Sequence, residues 1–317
     1  MADIYTENMG RNVSESKRLD EQFELLTRNI GYILHPSIIA KLPPSPTIAD
    51  IGTGTGLFLA QLAKVYPNAE LHGLDISSTL FPPAETLPPN VHLDTLDIKQ
   101  PIPLAKQNKY DLVHVRLIAA GIAPSEWELV VQNIIQLLKP GGAVQWEECN
   151  WADVQHLRGG VQSSVYTARL MGTRFKIGLK DKFSYGWKIL PQIFENKGLV
   201  RVEEDIVSSD RVVDTRAALT RNGMQAIFSW SRLLSSRNSK GSFSIDELDR
   251  LESEAERDIE SGCYTQNQNI KSLLANHNTV MLPYFPPRRY ALRYTTIPWM
   301  SKPKILTQDQ AGYVIKK

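Results

Sequence analysis

The run Asp50-Ile51-Gly52-Thr53-Gly54-Thr55-Gly56 is the strongest chemical signal in the chain. Glycines permit a tight turn and close approach of a ligand to backbone, and a helix starting there offers unbonded N–H groups. A second carboxylate, Asp75, follows about 20 residues on, where such a side chain can accept from the two hydroxyls of a ribose. These residues predict an adenosine-type cofactor laid across the carboxyl ends of two neighbouring strands. Dinucleotide-binding loops read GxGxxG and hold a pyrophosphate at the helix start. Here the spacing is GxGxG, with Asp50 two positions ahead of the first glycine. A carboxylate at that point repels a pyrophosphate but suits a ligand that carries an ammonium and a sulfonium. S-adenosylmethionine is such a ligand.

Other chemistry-bearing residues are dispersed. His72, His92, His114 and His156 fall on different segments, with no HxH, HxxxH or HExxH pair, so no metal site is expected. His114 is read as packing beneath a sheet, and His156 as a loop residue, on the surface or reaching a pocket. Glu147 and Glu148 end a strand, where one could face a substrate. Tyr166 and Arg169 are read as amphipathic helix packing. None of these residues is assigned a catalytic role.

These residues need elements to position them. Leu19, Phe23, Leu26, Ile30 and Ile33 recur at helical spacing between Ser14 and Leu34, before His35-Pro36 stops the helix. Strands are expected at Thr47-Ile51, Glu70-Leu74, Val91-Leu96, Asp111-Val115 and Ala143-Trp146. Helices are expected at Leu57-Tyr66 and Glu126-Leu138. This βαβ rhythm predicts an α/β fold with a parallel sheet covered on both faces. Beyond Trp151, helices are expected at Val161-Gly178, Tyr185-Lys197 and Arg216-Leu234, and a strand at Leu199-Ile206. Ser244 and Glu247 form a capping pair for a charged helix running to about Glu260.

Composition sets outer limits. With 317 residues, 42% apolar and 22% charged, the chain is a globular protein rather than a disordered one. Its 36 basic and 34 acidic side chains leave a net charge of +2, so no nucleic-acid partner is expected. Two distant cysteines, Cys149 and Cys263, make neither a disulfide framework nor a zinc site and suit a reducing compartment. No secretory leader and no membrane-spanning run is read, and a cytoplasmic location is expected.

In order, DIGTGTG at Asp50 to Gly56, Leu74-Asp75-Ile76, Tyr110-Asp111-Leu112-Val113 and Leu137-Leu138-Lys139-Pro140-Gly141-Gly142 resemble the motifs of class I S-adenosylmethionine-dependent methyltransferases. The resemblance covers about residues 45–150. Tyr5, Glu15 to Leu19, Gln22, His35 to Ile38, His114-Val115-Arg116 and Gln145 to Glu148 resemble a group of fungal natural-product methyltransferases acting on small molecules. A related group includes regulators of secondary metabolism.

The resemblance implies a Rossmann-like, mostly parallel seven-stranded sheet of order 3-2-1-4-5-7-6 with a helical lid. It implies that Asp50, Gly52, Thr53 and Gly54 lie under the methionine part of the cofactor. Asp75 would take the ribose hydroxyls, and Ile76 would pack on the adenine. Asp97 is preferred over Asp94 to accept from the adenine amino group, with Ile98 on the ring face. Val115 and Arg116 would bring backbone near the sulfonium. Tyr5 would close the pocket, while Arg18 or Gln22 would meet the methionine carboxylate.

The expected organisation is a lid at 1–45, a cofactor-binding core at 46–150, roof helices with completion of the sheet at 151–264, and a divergent tail at 265–317. In the resembled group an antiparallel last strand follows the final charged helix. Residues 265–317 do not look like that ending. Either Tyr290-Thr296 supplies a displaced strand or the strand is absent, and absence is preferred. The expected function is methyl transfer to a small molecule in fungal secondary metabolism. The rivals are a methyltransferase-like regulator acting through protein partners, and a cofactor-binding enzyme that catalyses a rearrangement without methylation. The acceptor atom and oligomeric state are not legible.

Overall fold

The computed structural model describes residues 9–180, 185–267 and 270–278. Five parallel strands form the heart of the sheet: β1 (Thr47–Ile51), β2 (Glu70–Asp75), β3 (Val91–Thr95), β4 (Tyr110–Arg116) and β5 (Leu138–Cys149). β1 and β4 are buried along nearly their whole length, as strands covered on both faces must be. The order of the seven-stranded sheet is β3-β2-β1-β4-β5-β9-β7, with β7 at Leu199–Val207 and β9 at Ile270–His277. β9 runs antiparallel between β5 and β7. This is the order the resemblance implied, and the fold is a Rossmann-like α/β sheet.

The last strand corrects an expectation. It is neither absent nor displaced to Tyr290-Thr296, which lies outside the described residues. Ile270–His277 (IKSLLANH) fills the gap itself, with its first six residues buried. Polar letters hid it: Lys271 inserts between Glu204, at 3.0 Å, and the Trp187 ring, whose centroid lies 4.2 Å away. Ser272 is likewise buried. A second, two-stranded sheet was not expected at all: β6 (Gln155–Arg158) pairs antiparallel with β8 (Cys263–Gln266).

Two layers of helix cover the large sheet. On one face α4 (Trp127–Leu137) and α6 (Gly186–Asn196) bury Trp127, Trp146 and Phe194 with Val113 and Val115. On the other, α2 (Pro36–Ile39) and α3 (Leu57–Val65) bury Ile38, Phe58, Leu59 and Leu62 against Leu71 and Leu112. A separate core joins α5 (Tyr166–Gly178), α7 (Arg216–Ser236) and α8 (Ile245–Glu260) through Met171, Phe228, Leu251 and Ile259. The Ser244–Glu247 capping box opens α8 as expected. α1 (Val13–Ile30) is capped by Asn12 and closed by Gly31. Buried polar bonds tie it to α7: Asn222 Nδ2 donates to the Arg18 carbonyl at 2.8 Å, and Asn29 Nδ2 donates to Oγ1 of Thr215, in the short turn just before α7, at 2.8 Å. No helix among the described residues is long and apolar enough to cross a membrane.

Candidate functional site

A cavity of about 310 Å3 opens at the carboxyl ends of β1, β2 and β4, below α1, α5 and α7. Its floor is the glycine turn between β1 and α3. Gly52, Gly54 and Gly56 all have left-handed backbone, with φ of +70°, +55° and +75°. A Cβ on Gly52 would lie 2.5 Å from Ile118 Cγ2, so the turn and the loop after β4 touch without room for a side chain. Thr53 Oγ1, in that turn, is buried with no hydrogen-bond partner among the described residues.

Carboxylates from three successive strand ends line this space. Asp75 Oδ2 accepts from the Gly54 N–H at 3.0 Å and Oδ1 from Ser77 N–H at 3.1 Å. Burial raises its pKa, against the lowering effect of those two N–H groups. Each oxygen retains lone-pair capacity for a hydroxyl donor. Asp97 Oδ1 accepts from Lys99 N–H at 3.0 Å, and Asp97 and Ile98 both line the cavity. Asp94 does not; it is 61% exposed and paired with Lys106 at 2.9 Å. Ile76 reaches the cavity from just beyond β2.

Asp50 is buried, and its Oδ1 lies 2.7 Å from Nδ1 of His114, its register neighbour on β4. The His114 ring stacks on Phe58 of α3, with centroids 3.7 Å apart and planes 8° apart. Its Nε2 is 4.0 Å from Glu147 Oε2, which is itself bonded to Arg116 Nε. Arg116 continues to α1, donating to Thr27 Oγ1 at 3.0 Å and lying over the Phe23 ring at 4.6 Å. Gln145 donates to Glu147 Oε1 at 2.8 Å and accepts from His35 N–H at 2.9 Å. The scattered HVR, QWEE and HP motifs are thus one buried polar scaffold joining β1, β4, β5 and α1.

Strand alternation sorts the residues at the end of β4. His114 and Arg116 share the face that lines the cavity, whereas the Val115 side chain points into the opposite core with Val113. The expected role of Val115, through its backbone, does not depend on that side chain, while His114 is a wall of the cavity as well as a packing residue. Arg18 and Gln22 line the cavity from α1. Arg18 is forked on Glu15, at 2.8 and 2.6 Å, and donates to Asn222 Oδ1 at 3.3 Å. Tyr5 lies outside the described residues. Glu148 does not reach the cavity; it is buried, with its pKa pushed up to about 7 by desolvation. Tyr166 is exposed and Arg169 donates to the His156 carbonyl, and neither lines the cavity.

The far half of the cavity is largely apolar. Met9, Trp151, Phe175, Leu179, Ala226 and Ile227 line it, with His156, Lys176 and Thr265 as polar groups. Roof helices and His156 were expected here; Thr265 was not, because the four-residue strands β6 and β8 carry no alternating apolar signal.

A left-handed glycine turn, acidic strand ends and this sheet order define a nucleotide-binding methyltransferase fold, and residues 48–142 match the family described as "Methyltransferase domain". The methyltransferase grgD of a Penicillium species is 40% identical over 154 residues, covering 44% of this chain and 51% of that protein. The N-methyltransferase sirN of Leptosphaeria maculans is 39% identical over 133 residues, covering 42% of this chain and 45% of that protein. The N-methyltransferase gliN of Aspergillus fumigatus is 33% identical over 200 residues, covering 61% of this chain and 67% of that protein. The chain belongs to the class I methyltransferases whose cofactor is S-adenosylmethionine. It spans about half the length of the first two of these curated relatives.

Proposed function

We infer that this protein transfers a methyl group from S-adenosylmethionine to a small, mostly apolar molecule in fungal secondary metabolism. The observation that carries the reading is the convergence of Asp50, Asp75 and Asp97 on one cavity, around a turn whose three glycines leave the backbone open. The residues fit the cofactor. Asp75 has acceptor capacity for the ribose hydroxyls, and Asp97 for the adenine amino group. Ile76 and Ile98 offer apolar faces to the adenine. Asp50, Gly52, Thr53 and Gly54 lie under the methionine part, with the unpartnered Thr53 hydroxyl there to be satisfied. Arg18, Gln22 and Arg116 face the same end from α1 and β4.

Bound there, S-adenosylmethionine supplies a methyl group on a positively charged sulfur. The protein's task is to hold the acceptor in line with it and keep water away, and such positioning supplies much of the acceleration. The apolar half beneath α5 and α7 suits an uncharged organic acceptor. The names of the fungal relatives, two of them N-methyltransferases, support a small-molecule activity. Two free, buried cysteines agree with a cytoplasmic protein.

The test is product mass after incubation with S-adenosylmethionine and an extract of small fungal metabolites. Gain of one methyl group by an extract component, dependent on protein and reduced by Asp75→Ala at limiting S-adenosylmethionine, is expected. Turnover of a component with no methyl gain would replace this reading with a rearrangement.

A further inference from the structure

We propose that His156 and Thr265 form the acceptor-binding polar pair of this site, and that His156 takes the proton from a weakly basic X–H group of the acceptor, a hydroxyl or an amide N–H, as it is methylated. The proposal rests on the methyltransferase reading above and adds the acceptor chemistry to it.

The two residues are direct partners in the small sheet: His156 of β6 stands opposite Thr265 of β8. Partners across an antiparallel pair project to the same face, with Cβ atoms about 5 Å apart. Both line the apolar half of the cavity. Thr265 Oγ1 is buried without a hydrogen-bond partner among the described residues. Its backbone is already committed, since the Thr265 N–H donates to Thr220 Oγ1 at 2.6 Å. His156 is 5% exposed. Its carbonyl accepts from Arg169 Nη2 at 3.1 Å, while its ring nitrogens have no hydrogen-bond partner among the described residues. A buried hydroxyl left unsatisfied beside a buried imidazole is costly unless something in the cavity bonds to it.

The ring is also held in place. It lies against Gly172 of α5, where an added Cβ would fall 2.3 Å from Cε1 and 2.8 Å from Nδ1. Glycine at that position lets α5 close over the imidazole. The charged groups around His156 are Lys176 and Arg169 on α5 and Asp258 on α8. Burial first, then the two cations, hold its pKa down, to about 4, against the weaker pull of Asp258. The imidazole is therefore neutral at ordinary pH and ready to accept.

That depressed basicity narrows the acceptor. Attack by the acceptor's lone pair forms the new bond to the methyl carbon while the sulfur–methyl bond breaks, its electron pair leaving with sulfur as neutral S-adenosylhomocysteine. The positive charge passes to the methylated acceptor, whose proton moves to the His156 ring nitrogen and then to solvent. A methylated hydroxyl or amide still carrying its proton is strongly acidic and yields it to such an imidazole. A methylated alkylamine is not, and keeps it. Thr265 can donate to the acceptor's oxygen and hold it in register.

The experiment uses the full chain loaded with S-adenosylhomocysteine and two bicyclic probes, 2-naphthol for the hydroxyl and 2-quinolone for the amide. Their methylated counterparts, which lack the X–H, are controls. Calorimetry is expected to show at least one probe binding, weakened about tenfold by His156→Phe and less by Thr265→Val. The methylated control should bind wild type and His156→Phe alike, and S-adenosylhomocysteine should bind wild type and both variants alike, which also reports folding. With S-adenosylmethionine, methylation of the bound probe should fall about 100-fold in kcat in His156→Phe, with KM for S-adenosylmethionine unchanged. Binding of neither probe, binding insensitive to His156→Phe, or an undiminished kcat in that variant would each overturn the proposal while leaving the methyltransferase reading standing. Failure of wild type to bind S-adenosylhomocysteine would overturn both.

Discussion

Glu148→Gln should change how stability depends on pH, by an amount set by one buried carboxyl. Glu148 is 2% exposed at the end of β5, near Trp146 Nε1 at 3.4 Å and the Cys149 N–H at 3.4 Å, and it faces the backbone N–H groups of Ile118 and Ala119. Desolvation outweighs these donors and pushes its pKa from 4.5 up to about 7. The folded state therefore holds a proton through that window which the unfolded state has released. This contribution is fully present below 4.5 and is lost as pH rises through about 7. At about 1.4 kcal/mol per pH unit the loss is about 3 kcal/mol.

His156 works in the opposite sense. Its pKa is lowered from 6.5 to about 4, so its contribution is present above 6.5 and lost as pH falls towards 4, again by about 3 kcal/mol. In the wild-type protein the two slopes oppose each other across nearly the same range. Glutamine keeps an acceptor oxygen for the surrounding N–H groups and removes only the ionisation. Urea unfolding at about pH 5 and about pH 8 should show the Glu148→Gln variant gaining on wild type by about 2–3 kcal/mol at the higher pH. The variant alone should also lose stability on acidification more steeply. A variant-minus-wild-type difference constant to within about 0.5 kcal/mol across that range would refute the buried-carboxyl argument.

Three further outcomes are expected. Asp75→Ala should weaken S-adenosylhomocysteine binding by about tenfold or more, the scale of losing hydrogen bonds to a charged group, and calorimetry giving an unchanged affinity would remove the ribose assignment. Gly52→Ala places a methyl group against Ile118 in a left-handed turn. It should cost about 1–3 kcal/mol of unfolding free energy and cut cofactor affinity, so a variant matching wild type in both would contradict the close approach described for that turn. Leu273 is fully buried on β9, and Leu273→Ala should lower unfolding free energy by about 2–5 kcal/mol; a loss near zero would mean the last strand is not in the core.

The half of the fold that follows simple rules was legible from sequence. Thr47–Ile51 is apolar because both its faces are covered, and the glycine turn after it advertises its own backbone geometry. The Ser244–Glu247 box likewise declares a helix start through its own hydrogen bonds. What escaped was set by tertiary partners. β9 carries Lys271 and Ser272 inside the sheet because Glu204 and Trp187 receive the lysine. β6 and β8 are too short for their pattern to outvote chance, yet they deliver His156 and Thr265 to the cavity.

The candidate site divides in the same way. Asp50 and Asp75 stand at strand ends around the glycine turn, where type and spacing single them out, whereas Asp97 comes from the family resemblance alone. From sequence His114 reads as packing beneath the sheet, and strand alternation together with the β1–β4 register is what turns it to the cavity. The link from Asp50 through His114 to Glu147 and Arg116 spans three strands. Only the register of β1, β4 and β5 brings those four residues together.

The central claim is that the cavity beside the glycine turn holds the cofactor. The most direct measurement is calorimetric titration of the wild-type chain with S-adenosylhomocysteine, repeated with Asp75→Ala and with NADH as a competing adenosine ligand. One site per chain, weakened about tenfold or more by Asp75→Ala and indifferent to NADH, is the predicted result. No binding of S-adenosylhomocysteine, or displacement of it by NADH at comparable concentration, would contradict the account.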